Sequence, residues 1–262
     1  SSTAISVAIL SIFAVIFVVP LVQNWPYQTQ FTLAHVQAVF ADSELQTVYL
    51  HSLGMALCTA FFGTLLAYGA ALITARSTLP KWRKQSVDSI ALVTNTIPGM
   101  VLGLAFLFTF TGTPLQNTFP LMILCNIVHY FSTPYLMMKN SLSKMNAGWE
   151  TTAMLMGDSW PKTILRVVTP NAASSLIEVF SYYFINAMVT ISALIFLAGA
   201  RTMVLTTKIK QLQYVNEYNE VFVLSLLILF TKLLAKAWLA NRSAQTGKRN
   251  NKKRKETKPS CI

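Results

Sequence analysis

The most informative shortage in this sequence is its lack of charge. Only 11% of the 262 residues are Asp, Glu, Lys or Arg, whereas 53% are hydrophobic and the mean hydropathy is +0.50. Soluble domains carry about a quarter charged residues. The composition therefore excludes an ordinary soluble protein and predicts a polytopic membrane protein.

Signatures of catalysis and of metal binding are also missing from the sequence. It contains no GxxxxGK[ST] phosphate-binding loop, no nucleophile elbow and no paired-acid arrangement. Cys58, Cys125 and Cys261 have no pairing or metal-ligand spacing, and His129 has no second ligand at a suitable local spacing. We therefore predict no cofactor, no metal site and no enzymatic activity in this chain, and it cannot be its own ATPase.

Six apolar runs have the length of about 20 residues that a membrane span needs. They cover residues 4–22, 50–75, 89–112, 121–138, 171–200 and 221–239. Basic residues concentrate in the connection 76–84, in 139–166 and after residue 240, which lie on one side if all six runs span. By the positive-inside rule that side is cytoplasmic. We therefore predict an all-α protein of the cell membrane with six transmembrane helices and both termini in the cytoplasm.

This topology accounts for the net charge of +12 without nucleic acid as a partner. We divide the chain into a transmembrane domain, 1–240, and a polybasic disordered tail, 241–262. The tail either anchors the topology or binds anionic lipid headgroups.

The longest polar interruption between the apolar runs is the segment 143–170. Asn146 is a residue type that caps a short helix, and Gly157 is a natural stop because glycine takes the left-handed conformation at low cost. Asp158 or Ser159 can cap a second short helix, which Pro170 is expected to end. The sequence thus predicts two short helices joined at a glycine, on the cytoplasmic side.

The segment resembles the cytoplasmic loop of permease subunits of binding-protein-dependent ABC importers. The pattern of that family is Glu-Ala-Ala, three residues, Gly, nine residues, Ile, one residue and Leu-Pro. Here Ala153, Gly157 and Pro170 match in identity and spacing, and Val167 replaces Ile. The departures are Thr151 at the acid's position, with Glu150 one residue earlier, and Thr169 at the position of Leu. The resemblance implies the fold of a type I ABC importer permease.

In this family the loop docks into a cleft of the ATPase subunit and transmits its motion to the membrane. The aromatic and apolar residues at i, i+4 and i+7, Trp149, Ala153 and Met156, are candidates to fill that cleft. The full set of predicted coupling residues is Trp149, Glu150, Thr151, Ala153, Gly157, Trp160 and Pro170.

Polar side chains within the apolar runs are candidates for a translocation pathway, because such residues usually face protein or water. The predicted pathway residues are Asn95, Pro98, Asn126, His129, Tyr182 and Asn186. Glu178 lies nearer the cytoplasmic end of its run and is predicted to be a gate. The alternative for all of them is hydrogen bonding between helices.

The resemblance extends over about residues 31–239, to the iron(III), polyamine and 2-aminoethylphosphonate branch of these permeases. It implies a second permease half or subunit, two ATPase subunits that bind ATP and Mg, an extracytoplasmic substrate-binding protein and the lipid bilayer as partners. Iron(III) is the first expected substrate, and 2-aminoethylphosphonate or a polyamine the second. The chain fits either a separate subunit or one half of a fused permease. A secondary transporter and a membrane-embedded lipid-headgroup enzyme are the alternative functions.

Overall fold

The computed structural model describes residues 2–25, 27–146 and 148–256, which are almost entirely helical. The α-helices of this part are α1 (Ser2–Val18), α2 (Ala34–Ala41), α3 (Ser43–Arg76), α4 (Lys81–Val93), α5 (Gly99–Phe110), α6 (Phe119–His129), α7 (Ser132–Ser143), α8 (Gly148–Leu155), α9 (Trp160–Thr163), α10 (Thr169–Ala187), α11 (Leu205–Tyr214) and α12 (Tyr218–Glu256). A short antiparallel hairpin of β1 (Val22–Asn24) and β2 (Gln28–Phe31) follows α1, in the first polar connection.

The long helix α3 is the centre of the fold. The Oδ1 atom of Asp42 caps its start by accepting from the backbone N–H of Glu44 at 2.7 Å. Its 34 residues, at 1.5 Å per residue, give a length of about 50 Å. Helices α10, α7 and α6 pack along it. Small residues make this close packing possible: the ring of Tyr183 in α10 lies on Gly63, where any side chain would collide with it.

Three helical segments of the described chain are long and apolar enough to cross a membrane: Thr3–Leu21, Ser43–Arg76 and Tyr218–Thr246. They correspond to the first, second and sixth predicted spans. The fourth predicted span is the pair α6 and α7, whose axes meet at 58°. The proline ring of Pro134 would clash with the carbonyl of Tyr130 in a straight helix, which explains the bend at that point.

The other two predicted spans are not single helices. The third is divided into α4 and α5 by the non-helical segment 94–98, because Pro98 disfavours helical backbone at the residue before it. The fifth was predicted to reach residue 200, but α10 ends at Ala187 and irregular backbone follows it. The number of six spans therefore remains a prediction.

The structure differs from the sequence-based expectation at the tail. Helix α12 does not end at residue 240 but continues to Glu256, where the sequence predicted disorder. Lys, Arg and Gln are good helix formers, and the first proline after the span is Pro259. Residues 257–262, the end of the predicted tail, lie outside the described residues.

Candidate functional site

The segment 143–170 forms two short helices joined at a glycine, as predicted. Gly157 has a φ of +80°. Its N–H donates to the carbonyl of Met154 at 3.0 Å, and the N–H of Asp158 donates to the carbonyl of Ala153 at 2.9 Å. These two bonds are the Schellman arrangement that ends helices at a left-handed residue. The prediction that Gly157 ends the first loop helix is confirmed.

The sequence-based prediction of the second half of this loop is wrong in one respect. Pro170 does not end the second helix: α9 continues through a π-helical turn, Ile164–Val168, directly into α10. A widened turn gives room for the ring of Pro170, which clashes with the preceding turn of a regular α-helix. The hydroxyl of Thr169 donates to the carbonyl of Ile164 at 2.9 Å and adds a bond across this turn. The loop is therefore joined to α10 by continuous helix.

The beginning of the loop is held by an ion pair with the end of α3. Arg76 and Glu150 face each other as two forks, with Nε–Oε1 at 2.6 Å and a second N–O pair at 2.5 Å. Both side chains are largely buried, at 4% and 15% exposure. Glu150 was predicted to contact the ATPase, but in the structure its carboxylate binds Arg76 of the same chain. No local pattern in the sequence indicates this pair, because its members are 74 residues apart.

A second ionic contact joins α4 to α7 near the loop. Lys139 donates to Oδ1 of Asp88 at 2.5 Å, and the hydroxyl of Tyr135 contacts the same oxygen. Burial by itself raises the pKa of the Asp88 carboxyl, but the hydrogen bonds from Lys139 and Tyr135 outweigh it. The net pKa lies below the ordinary value, so Asp88 is charged at neutral pH.

The apolar surface of the loop differs from the one that the sequence predicted. Trp149 is half-buried and packs against the core of its own chain rather than facing outward. The exposed apolar side chains are Met154, Leu155 and Met156, with exposures of 69%, 85% and 79%. We call these three residues the loop tip. Met156 was among the residues predicted to fill the cleft, whereas Met154 and Leu155 were missed, although three consecutive apolar residues before a glycine in a polar segment were a signal for them.

The remaining predicted coupling residues lie elsewhere in the loop and differ in exposure. Thr151 and Pro170 are exposed, Trp160 is 38% exposed and Ala153 is half-buried. Because Trp149 and Glu150 face the interior, a docking partner would meet the loop tip first.

Several predicted pathway residues come together where helices are interrupted. The hydroxyl of Thr190, just after α10, donates to the hydroxyl of Tyr130 at the α6–α7 bend, at 2.8 Å. The ring of Tyr130 lies 6.4 Å from that of Tyr182, centroid to centroid. The imidazole of His129 lies against Gly99, the first residue of α5 after Pro98. Three breaks in helices thus meet around aromatic and hydroxyl side chains.

A cavity of about 370 Å³ lies between α7, α10 and α12, and Tyr182 links it to this region. Tyr182, Asn186 and the predicted gate Glu178 line it, together with Lys236 and Ser243 of α12. Ser243 donates to Oε1 of Glu178 at 3.2 Å. Lys236 was missed, although a lysine inside the last apolar run was the signal for it.

Two of the predicted pathway asparagines lie elsewhere. Asn126 is fully buried, and its Nδ2 atom contacts the sulfur of Met55 in α3 at 3.9 Å. Its Oδ1 atom has no hydrogen-bond partner among the described residues. Asn95 is exposed in the break between α4 and α5. The structure therefore groups Pro98, His129, Tyr182 and Asn186, but not Asn95 or Asn126.

Residues 63–241, which contain the loop and all the named cavity residues except Ser243, match a known family, the binding-protein-dependent transport system inner membrane components. The chain belongs to this family. The predictions of a multi-pass membrane protein and of a transport component rather than an enzyme are thereby confirmed.

Two relatives of this transport component are described as ferric permeases. The chain is 26% identical over 206 residues to a protein described as a ferric transport system permease, FbpB 1, from Haemophilus influenzae. It is 25% identical over 163 residues to the ferric transport system permease protein FbpB of Actinobacillus pleuropneumoniae. The matches cover 74% and 62% of this chain but 31% and 23% of the relatives, so the chain spans about a third of their length or less.

Two solved structures with a similar fold are described as ABC transporters. One is a bacterial ABC transporter involved in import of the acidic polysaccharide alginate, with a TM-score of 0.72, 13% identity and coverage of 93% of this chain and 95% of that one. Another is the MetNI methionine ABC transporter, with a TM-score of 0.62, 17% identity and coverage of 78% and 99%. At these identities the likeness establishes the fold, which is that of an ABC importer permease.

Proposed function

We propose that the chain forms one half of the membrane pathway of an ABC importer and is driven by a separate ATPase that docks on the loop 143–170. The observation that carries this proposal is the loop tip: three exposed apolar side chains at the end of α8, directly before the turn at Gly157. ATP and Mg belong to the partner ATPase, and substrate arrives from an extracytoplasmic binding protein. A second permease half and a second ATPase complete the complex in the lipid bilayer.

The loop tip suits docking into an apolar cleft because its side chains have little contact with their own chain. Leu155 is 85% exposed. Full burial of a leucine side chain contributes about 1.5–3 kcal/mol. Since each 1.4 kcal/mol changes an affinity about ten-fold, Leu155 by itself can account for about one to two orders of magnitude in the affinity for the ATPase.

A serine substitution tests this docking surface. Leu155→Ser should weaken binding of the purified ATPase to the permease in membranes by about ten-fold or more, and uptake should fall with it. Leu79→Ser, in the connection between α3 and α4, is the matched control and should leave binding unchanged. Equal binding by wild type and Leu155→Ser would remove the loop tip from the docking surface and count against the proposed function.

We place the translocation pathway along the cavity between α7, α10 and α12. Its support is the meeting of interrupted helices with polar side chains, an arrangement that transporters use at substrate sites. Tyr182 and Asn186 would face the substrate, and Glu178 near the loop side would act as the gate. We also propose that the loop and both termini are cytoplasmic, because the basic residues concentrate on that side.

Iron(III) is the proposed substrate. The support is the description of both relatives as ferric permeases, although the chain spans 31% and 23% of their length. Uptake by the complete transporter of labelled iron(III), 2-aminoethylphosphonate and a polyamine, measured in parallel, separates the candidates. Uptake of the phosphonate or the polyamine without iron(III) would overturn the assignment but not the proposed class of transporter. Family membership does not favour a secondary transporter or a lipid-headgroup enzyme.

A further inference from the structure

We propose that Arg76 is the positioning residue that makes α3 move together with the loop when the ATPase acts. This inference rests on the proposed function, since it assumes that an ATPase drives the loop. The covalent chain joins the loop directly only to α7 and α10. The contacts of Arg76 would therefore be what connects the loop to α3.

The guanidinium of Arg76 contacts both the first loop helix and the connection that joins this helix to α7. Besides its two bonds to Glu150 in the first turn of α8, it donates to the carbonyl of Met145 at 3.0 Å and to that of Asn146 at 2.9 Å. These two carbonyls lie in the connection between α7, which ends at Ser143, and α8. One side chain therefore connects the end of α3 with this connection and with the start of the first loop helix.

Only an arginine can make this set of contacts. Its planar guanidinium has five N–H donors in a fixed fork, whereas a lysine offers a compact point charge. Ionised partners strengthen such bonds, and the burial of both side chains protects the pair from screening by salt. The loop is therefore tied to α3 by a directional contact with little freedom to rotate.

Helix α3 connects Arg76 at its C-terminal end with contacts to α11 near its N-terminal end. Near its start, Glu44 pairs with Lys208 of α11 at 2.6 Å. The hydroxyl of Ser52 accepts from the backbone N–H of Leu205, the first residue of α11, also at 2.6 Å. Displacement of the loop at Arg76 would thus reach α11 through one uninterrupted helix of about 50 Å. Without Arg76, the loop would move chiefly with α10, to which it is joined by continuous helix.

The test uses the complete transporter, with binding protein, both permease halves and ATPase. Arg76→Gln should leave ATPase binding intact but reduce the number of substrate molecules imported per ATP hydrolysed by about five-fold or more, the lower range of coupling between distant sites. Arg76→Lys, which keeps the charge without the fork, should fall between wild type and Arg76→Gln. Arg83→Gln in α4, whose arginine is exposed and lies over the ring of Trp82, is the matched control and should not change the ratio.

A double variant tests whether Arg76 acts through Glu150 or independently of it. If Arg76 acts through this partner, Arg76→Gln combined with Glu150→Gln should be no worse than Arg76→Gln alone. An additive loss would overturn the proposal. A simple loss of protein from the membrane does not change the import-to-hydrolysis ratio of the remaining complexes, so the ratio distinguishes positioning from stability.

A distance measurement tests the same idea without relying on transport. Spin labels at Thr152 in the first loop helix and at Leu50 in α3, both exposed, should keep their separation in wild type when ATP binds and change it in Arg76→Gln. A normal import-to-hydrolysis ratio in Arg76→Gln, or a separation that changes equally in both proteins, would overturn the role of Arg76 while leaving the proposed function in place. Failure of the wild-type permease to bind any ATPase would instead refute the proposed function itself.

Discussion

Replacement of Gly157 by valine isolates the contribution of one backbone angle to coupling. The residue has a φ of +80°, and a Cβ atom built there meets nothing within 4 Å. Collision of a Cβ atom with its surroundings is therefore not a factor. The effect of Gly157→Val should come chiefly from the left-handed backbone, which is especially unfavourable for a β-branched residue.

The size of the effect follows from two competing costs. Keeping the left-handed angle with a side chain costs roughly 1–2 kcal/mol. Abandoning it breaks the bonds from Gly157 to Met154 and from Asp158 to Ala153, each worth about 0.5–1.5 kcal/mol net. Because the costs are similar, the variant should populate both conformations and turn the second loop helix relative to the first. We expect about a five- to thirty-fold loss of ATPase affinity, corresponding to 1–2 kcal/mol.

The assay measures ATPase binding, substrate-stimulated ATP hydrolysis and uptake in membranes with equal amounts of permease. Gly112→Val is the matched control: Gly112 has a φ of +78°, equally open surroundings and a place in the connection between α5 and α6. Gly157→Asn is the conservative variant, since asparagine tolerates the left-handed region. It should retain most of the activity.

Two outcomes would refute this reasoning. If Gly157→Val bound the ATPase and transported at wild-type rates, the loop would not be the coupling element. If Gly112→Val uncoupled transport as strongly as Gly157→Val, general loss of stability rather than loop geometry would be responsible.

The remaining predictions concern orientation and the polar residues of the helices. A cysteine at Met154 should react with a membrane-impermeant reagent only from the cytoplasm and one at Asn117 only from outside; the opposite pattern would reverse the topology. Asn186→Leu should reduce uptake while ATPase binding persists, because Asn186 lines the cavity; unchanged uptake would assign it to helix packing. Asn126→Leu should leave uptake unchanged. Its free energy of unfolding should be equal to that of wild type or higher by about 1 kcal/mol, because the buried amide oxygen lacks a described partner. A loss of uptake without loss of stability in Asn126→Leu would return this residue to the pathway.

The sequence determined the features that depend on neighbouring residues. The apolar runs identified a membrane protein, because a segment that spans the lipid must be apolar however the helices pack against one another. Gly157 could be predicted as a helix end, since the preference of glycine for positive φ is a property of the residue itself. The spacing of Ala153, Gly157 and Pro170 was sufficient for the family resemblance, which the match over residues 63–241 confirms.

Only the tertiary structure decided which faces of these segments are free. Trp149 and Glu150 looked like docking residues, but the core and Arg76 occupy them, which leaves Met154, Leu155 and Met156 outward. The ion pair joins residues 74 positions apart, and nothing local in the sequence specifies such a distance. Hydropathy also failed to predict the breaks in the third and fifth predicted spans, because the average apolarity of a segment does not depend on where its helix is interrupted. Residue chemistry thus fixed the local conformations, while packing selected the partner of each side chain.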